Sequence, residues 1–182
     1  MLAALANIFR ITELRQKVVF TLAMFIVFRA GTHIPVPGVN AAVIEQLFQT
    51  GNLFGLLDMF SGGALSKFSI FAMSITPYIN ASIILQLLKV VVPTLEQWSK
   101  EGEEGRKKIQ SITRYASIAI GFVLAIGIYS MIAAQGAATG LGTAQKAVVL
   151  ISLVVGSTFC MWLGDQITQK GFGNGVSILI FV

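Results

Sequence analysis

Between Ser69 and Leu88 the chain reads S-I-F-A-M-S-I-T-P-Y-I-N-A-S-I-I-L-Q-L-L, an apolar stretch of bilayer-crossing length with a proline and polar side chains at its centre. Roughly 20 mostly apolar residues span a hydrocarbon core, and Phe68 to Val92 supply about that many. Pro77 lacks a backbone donor and normally breaks a helix. In a membrane bundle, neighbouring helices and nearby hydroxyls, here Ser74 and Thr76, take over the hydrogen bonds that proline frees. Asn80, Ser82 and Gln86 are costly against lipid and favour a bundle interior or a wet cavity. The stretch therefore reads as a helix facing a pathway, although a proline-kinked packing helix with polar glue accounts for the same residues.

With 55% hydrophobic and 12% charged residues, an ordinary soluble domain is excluded and a multi-span membrane protein is expected. Apolar segments run at about Val18 to Ile34, Phe68 to Val92, Tyr115 to Ala134 and Ala147 to Leu163. A fifth starts near Val176 and reaches only Val182, too short to cross. The chain is thus expected to be the N-terminal part of a larger protein. Basic residues before the first segment suggest a signal peptide, but Arg29 interrupts F-R-A-G-T-H-I and no small-x-small cleavage site follows. Residues 1–17 mix apolar and basic positions and are expected on the cytosolic membrane surface.

Alternating spans place Arg10, Arg15, Lys17, Lys89, Lys100, Arg106, Lys107, Lys108, Arg114 and Lys170 on one side, against Lys67 and Lys146 on the other. Arg29 lies at the outer border, where it snorkels or pairs locally. The excess puts the N-terminus in the cytoplasm, and K-E-G-E-E-G-R-K-K forms a solvated cytosolic face.

Between the first two spans lies N-L-F-G-L-L-D-M-F-S-G-G, residues 52–63. Leu53, Phe54, Leu56, Leu57, Met59 and Phe60 make it apolar, while Asp58 and the Gly62-Gly63 pair interrupt it. Too short to span and too apolar for water, it is expected to fold back against the bundle, with the glycines as hinge, or to lie on the outer leaflet.

Chemistry-bearing constellations are absent. His33 is the single histidine, Cys160 the single cysteine within an apolar run, and neither a metal-ligand pattern nor a catalytic pairing is present. Gly171, Gly173 and Gly175 in K-G-F-G-N-G-V lack the spacing and strand context of a phosphate loop; they read as a tight cytoplasmic turn. No enzyme activity, cofactor or metal is expected.

The stretch Ser69 to Leu88 resembles the first signature of the SecY/Sec61α protein-translocation channels in their bacterial form. W-L-G-D-Q-I-T-Q-K-G-F-G-N-G-V-S-I-L, Trp162 to Leu179, resembles the second. F-R-A-G-T-H-I-P-V-P-G, M-F-S-G-G-A-L-S and K-E-G-E-E-G-R-K-K-I resemble the family in matching order. Ser74 departs from it, standing where the first signature commonly has glycine. The family has ten spans, and this chain ends early in the fifth.

The resemblance implies an all-α polytopic bundle, the N-terminal half of a ten-span channel with a short re-entrant plug helix at Asn52 to Gly63. It implies a non-enzymatic central subunit of the bacterial plasma membrane that passes unfolded polypeptides and releases apolar segments sideways into lipid. The implied partners are SecE, SecG, the SecA ATPase or the translating ribosome, signal peptides and nascent chains, with no sequence-specific nucleic acid binding. Ile75, Ile79, Val176 and Ile180 match pore-ring positions. Asn80, Ser82, Ile83, Gln86 and Leu87 would belong to one wall of a lateral gate. The rival class is a secondary transporter, which also has broken helices but needs intramembrane ionisable groups, and none lies at mid-depth in the second to fourth spans.

Overall fold

In the computed structural model, residues 12–40, 43–44, 64–136, 138, 140–171 and 173–181 are described. Six helices fall within them: α1 (Thr12–Gly31), α2 (Thr76–Val91), α3 (Pro93–Lys100), α4 (Glu103–Ala134), α5 (Thr143–Lys170) and α6 (Gly175–Phe181). The described residues contain no strand, only an isolated antiparallel bridge between Pro35 and Ser69. The plug-like segment 52–63, with Leu53, Phe54, Leu56, Leu57, Asp58, Met59, Phe60, Gly62 and Gly63, lies outside the described residues.

α4 and α5 are each long and apolar enough to cross a membrane by themselves. At 1.5 Å per residue they measure about 48 and 42 Å, longer than the ~30 Å hydrocarbon core. They therefore run past the apolar windows 115–134 and 147–163, because helical hydrogen bonding continues where the side chains turn polar. α1 closes with its own cap: the His33 Nδ1–H donates to the Arg29 carbonyl at 2.9 Å, and the Thr32 hydroxyl to the same oxygen at 2.7 Å.

The second apolar segment departs from the sequence expectation. Helix does not run from Phe68 to Val92; α2 begins only at Thr76, with Ile75 as its cap and Pro77 in the first turn. There the missing N–H has no helical acceptor to lose, and the fixed φ suits a helix start. Pro77 thus opens a helix instead of kinking one, and Ser74 and Thr76 are not needed to rescue it. The sharp bend lies at the other end, where Pro93 starts α3 at 102° to α2.

At 16 residues, α2 is about 24 Å long, short of a full crossing. The remaining depth is supplied by irregular chain from Ala64 to Ile75. Such backbone survives at membrane depth only when enclosed by protein. Phe68, Ser69, Phe71, Ala72, Met73, Ser74 and Ile75 are all buried. Its amides are paired: Ser69 N–H to the Ala64 carbonyl (2.9 Å), Ile70 N–H to Ile34 (3.0 Å), and Phe71 N–H to the Ser69 hydroxyl (3.2 Å). Ser74 is held at φ +47°. That left-handed setting costs an L-residue about 1–2 kcal/mol, which glycine avoids. Glycine spends about 0.5–1 kcal/mol more backbone entropy. Ser74→Gly is therefore expected to stabilise the fold by about 0.5–1 kcal/mol. A lower thermal midpoint for the glycine variant in detergent would show that the Ser74 side chain contributes more than its strain costs.

Two apolar clusters hold the bundle. One joins Phe68, Ala72 and Met73 to Ala125 and Ile132 of α4 and Val149, Leu153 and Val154 of α5. The other joins Phe28 of α1, Phe71 and Ile75 to Cys160, Leu163 and Ile167 of α5 and Leu179 of α6. Cys160 is a buried small hydrophobe, as its apolar run suggested. Where α4 meets its neighbours it buries Ser117, Gly121 and Ala125, one small residue per turn. Small residues let membrane helices approach closely, which matters where lipid is as apolar as the helix face.

Candidate functional site

The candidate site is the region where the irregular segment, α2, α5 and α6 meet. α2 packs through Pro77, Ala81 and Leu85, spaced four apart. Ile83, Gln86 and Leu87 are exposed, with Ile83 51% and Leu87 66% accessible; Asn80 and Ser82 are half-buried. The Gln86 amide donates to the Ser82 hydroxyl at 3.3 Å. Polar and apolar groups thus share a side of α2 that the described residues leave open.

The four residues matched to the pore ring fall into two environments. Ile75 is 1% exposed and belongs to the second apolar cluster, against which Val176 also packs. Ile79 is half-buried, and Ile180 is 43% exposed. Ile79 N–H donates to the Ile75 carbonyl at 3.1 Å, so the two are one helical step apart although Ile75 is the cap.

The glycine-rich link between α5 and α6 is a tight turn, as its composition suggested. Gly171 ends α5, Gly173 sits at φ +70°, and the Asn174 carboxamide oxygen accepts from Val176 N–H at 3.1 Å, capping α6. Gly175 has a second duty. A methyl group there would overlap the Gly164 carbonyl, and its N–H donates to the Thr168 hydroxyl at 2.9 Å. α6 is thereby drawn back against the last turns of α5.

Near the same end of the bundle, Asp165 of α5 is buried and paired with Arg114 of α4, Nη2 to Oδ2 at 2.8 Å. The Gln110 amide donates to its Oδ1 at 3.0 Å. Sequence reasoning missed this pair, having counted Arg114 only toward topology. The available signal was that Asp165 is the sole acidic residue beyond Glu104, set in an otherwise apolar run. Beside it, a polar cleft of about 410 Å³ is lined by Tyr78, Ser82, Lys89, Ser99, Arg106 and Gln110 among others. A separate apolar groove of about 580 Å³ lies among Val27, Ile34, Phe71, Val155 and Phe159.

The basic stretch between α3 and α4 neutralises itself in part. Lys100 bonds Glu96 at 2.6 Å, holding that carboxyl below its ordinary range, and Lys108 bonds Glu101 at 3.2 Å while lying over the Trp98 ring. These are exposed contacts worth little stability. No group of three or more His, Cys, Asp or Glu able to hold a metal occurs among the described residues.

A bundle of long apolar helices around one helix that starts inside the protein is the architecture of a multi-pass membrane protein. Residues 69–182 match the SecY family model, and the chain belongs to the SecY family. It is 50% identical over 186 residues to the protein translocase subunit SecY of Halalkalibacterium halodurans, and 48% identical over 185 residues to that of Bacillus subtilis. Each alignment covers 100% of this chain, which spans 43% of the length of those relatives. Two solved structures, described as Sec61 in the canine ribosome-channel complex from the endoplasmic reticulum and as the structure of a protein conducting channel, share the fold. Each has a TM-score of 0.66 at 20% identity, covering 91% of this chain and 35% of the other.

Proposed function

We propose that this chain is the N-terminal part of the pore-forming subunit of a protein-conducting channel, which moves unfolded secretory polypeptides across the bacterial plasma membrane and releases apolar segments into lipid. The observation that carries the reading is α2. It starts within the protein on an enclosed irregular segment and leaves Ile83, Gln86 and Leu87 exposed beside Asn80 and Ser82. A wall with both characters suits a passing chain that is sometimes polar and sometimes apolar. The family relationship to SecY translocase subunits supports the same role.

On this reading the N-terminus is cytoplasmic, and Asn80, Ser82, Ile83, Gln86 and Leu87 form one wall of the lateral gate. Residues 52–63 act as the plug. SecE, SecG, and SecA or the ribosome are the partners, and the chain performs no catalysis of its own. Ile79, Val176 and Ile180, backed by the enclosed Ile75, contribute to an apolar waist that excludes ions by dewetting yet parts around a polypeptide.

In the complete channel, Ile79→Asn and Ile180→Asn are expected to raise resting ion conductance several-fold in planar bilayers, with near-normal abundance. Ile75→Ser is expected to reduce abundance as well, because Ile75 is 1% exposed within the apolar cluster that holds Phe71, Cys160 and Leu179. Unchanged conductance per inserted channel in both asparagine variants would assign these positions to packing and remove the waist from the model of function.

A further inference from the structure

Asp165 is the only charged residue buried among the described residues. Its partners Gln110 and Arg114 are four apart and so lie on one face of α4, giving a two-point grip on a single carboxylate. The Arg114 Nε is buried with no hydrogen-bond partner among the described residues, while the side chain as a whole is 39% exposed and reaches Asp165 through Nη2. Asp165 adjoins Gly164, which lies against Val176 and Leu179: a methyl group on Gly164 would come within 3.2 Å of Val176 Cγ2 and 3.6 Å of Leu179 Cδ1. Two consecutive residues of α5 therefore hold α4 on one side and α6 on the other.

We propose that Asp165, with Arg114 and Gln110, is a positioning clamp that fixes the start of α6, and so Val176 and Ile180, relative to the bundle, and that its integrity sets how tightly the resting channel is sealed. The proposal rests on the channel reading above. Apolar contacts at this depth tolerate sliding, since side chains exchange one apolar neighbour for another. An ion pair with a bidentate carboxylate does not, because a shift of about 1 Å breaks hydrogen-bond geometry. Removing Arg114 leaves Asp165 buried and uncompensated, and removing Asp165 leaves the partly exposed guanidinium without the carboxylate that holds it; either loss drives local rearrangement.

The test uses the complete channel with its partner subunits, with Ile79→Asn as control. Asp165→Ala is expected to raise resting conductance per inserted channel about fivefold or more, the lower end for coupling between two sites. It should also permit export of a reporter with a defective signal sequence. Asp165→Glu, which keeps the charge, is expected to stay near wild type. Counting per inserted channel separates sealing from folding, because a purely structural loss lowers abundance without changing the conductance of what remains. If Ile79→Asn leaks and Asp165→Ala does not, the clamp is overturned while the apolar waist stands; if neither leaks, the waist itself is removed and takes the clamp with it. Should Asp165→Ala not accumulate, Arg114→Lys decides the matter. It keeps the charge but loses the planar fork. Raised conductance supports the clamp, and wild-type conductance overturns it.

Discussion

Gly156→Val is expected to be among the most damaging single changes in the chain, lowering stability by about 3 kcal/mol or more. Even one added methyl group at Gly156 would overlap the Ile70 carbonyl and lie 3.4 Å from the Phe71 ring. Ile70 is backbone that cannot give way cheaply: its N–H is committed to Ile34, and the irregular segment it belongs to is buried between α1, α4 and α5. Relief requires α5 to move off that segment, which opens both apolar clusters at once. The check is the thermal midpoint of the purified complete channel in mild detergent, read by fluorescence-detected size exclusion. A midpoint for Gly156→Val close to wild type would mean that the segment does not approach α5 as closely as described.

Phe71→Ala follows, with an expected loss of about 3 kcal/mol. Phe71 is 2% exposed, stacked on Phe28 at 5.7 Å and on Phe159 at 5.8 Å between ring centroids, and its ring fills the space left by Gly31. In lipid the transfer contribution shrinks, because the reference medium is itself apolar, but the cavity and the lost ring pairs remain. Phe71→Leu should recover part of the loss by filling volume without the stacking. A deficit below about 1 kcal/mol for the alanine variant would place Phe71 outside the load-carrying core. The segment 64–75 would then be held by its backbone hydrogen bonds alone.

Much of the fold was readable from residue order because lipid leaves few alternatives. Tyr115 to Ala134 and Ala147 to Leu163 are apolar windows inside α4 and α5, and the turn at Gly171 to Gly175 follows from glycine spacing between two apolar runs. The stretch around Pro77 misled for a physical reason. Phe68 to Thr76 is as apolar as a helix, and hydropathy cannot distinguish helical backbone from irregular backbone enclosed by neighbours. What permits the irregular form is tertiary: Ile34 and Pro35 meet Ile70 and Ser69, and Gly156 gives α5 room to lie against the carbonyl of Ile70.

The same division runs through the candidate site. Composition and the length of the apolar runs determined that the chain is a helical membrane protein, and two signatures carried its family resemblance. Those features act residue by residue, through transfer to lipid. Which isoleucine is enclosed and which is exposed, that Pro77 opens a helix, and that Asp165 meets Arg114 across 51 positions depend on how helices distant in sequence are brought side by side. Ile75 and Ile79 are alike in type and one helical step apart, yet only Ile75 is buried in the apolar cluster that also holds Phe71, Cys160 and Leu179. That difference exists only once residues of α1, α5 and α6 are gathered into one cluster with the start of α2.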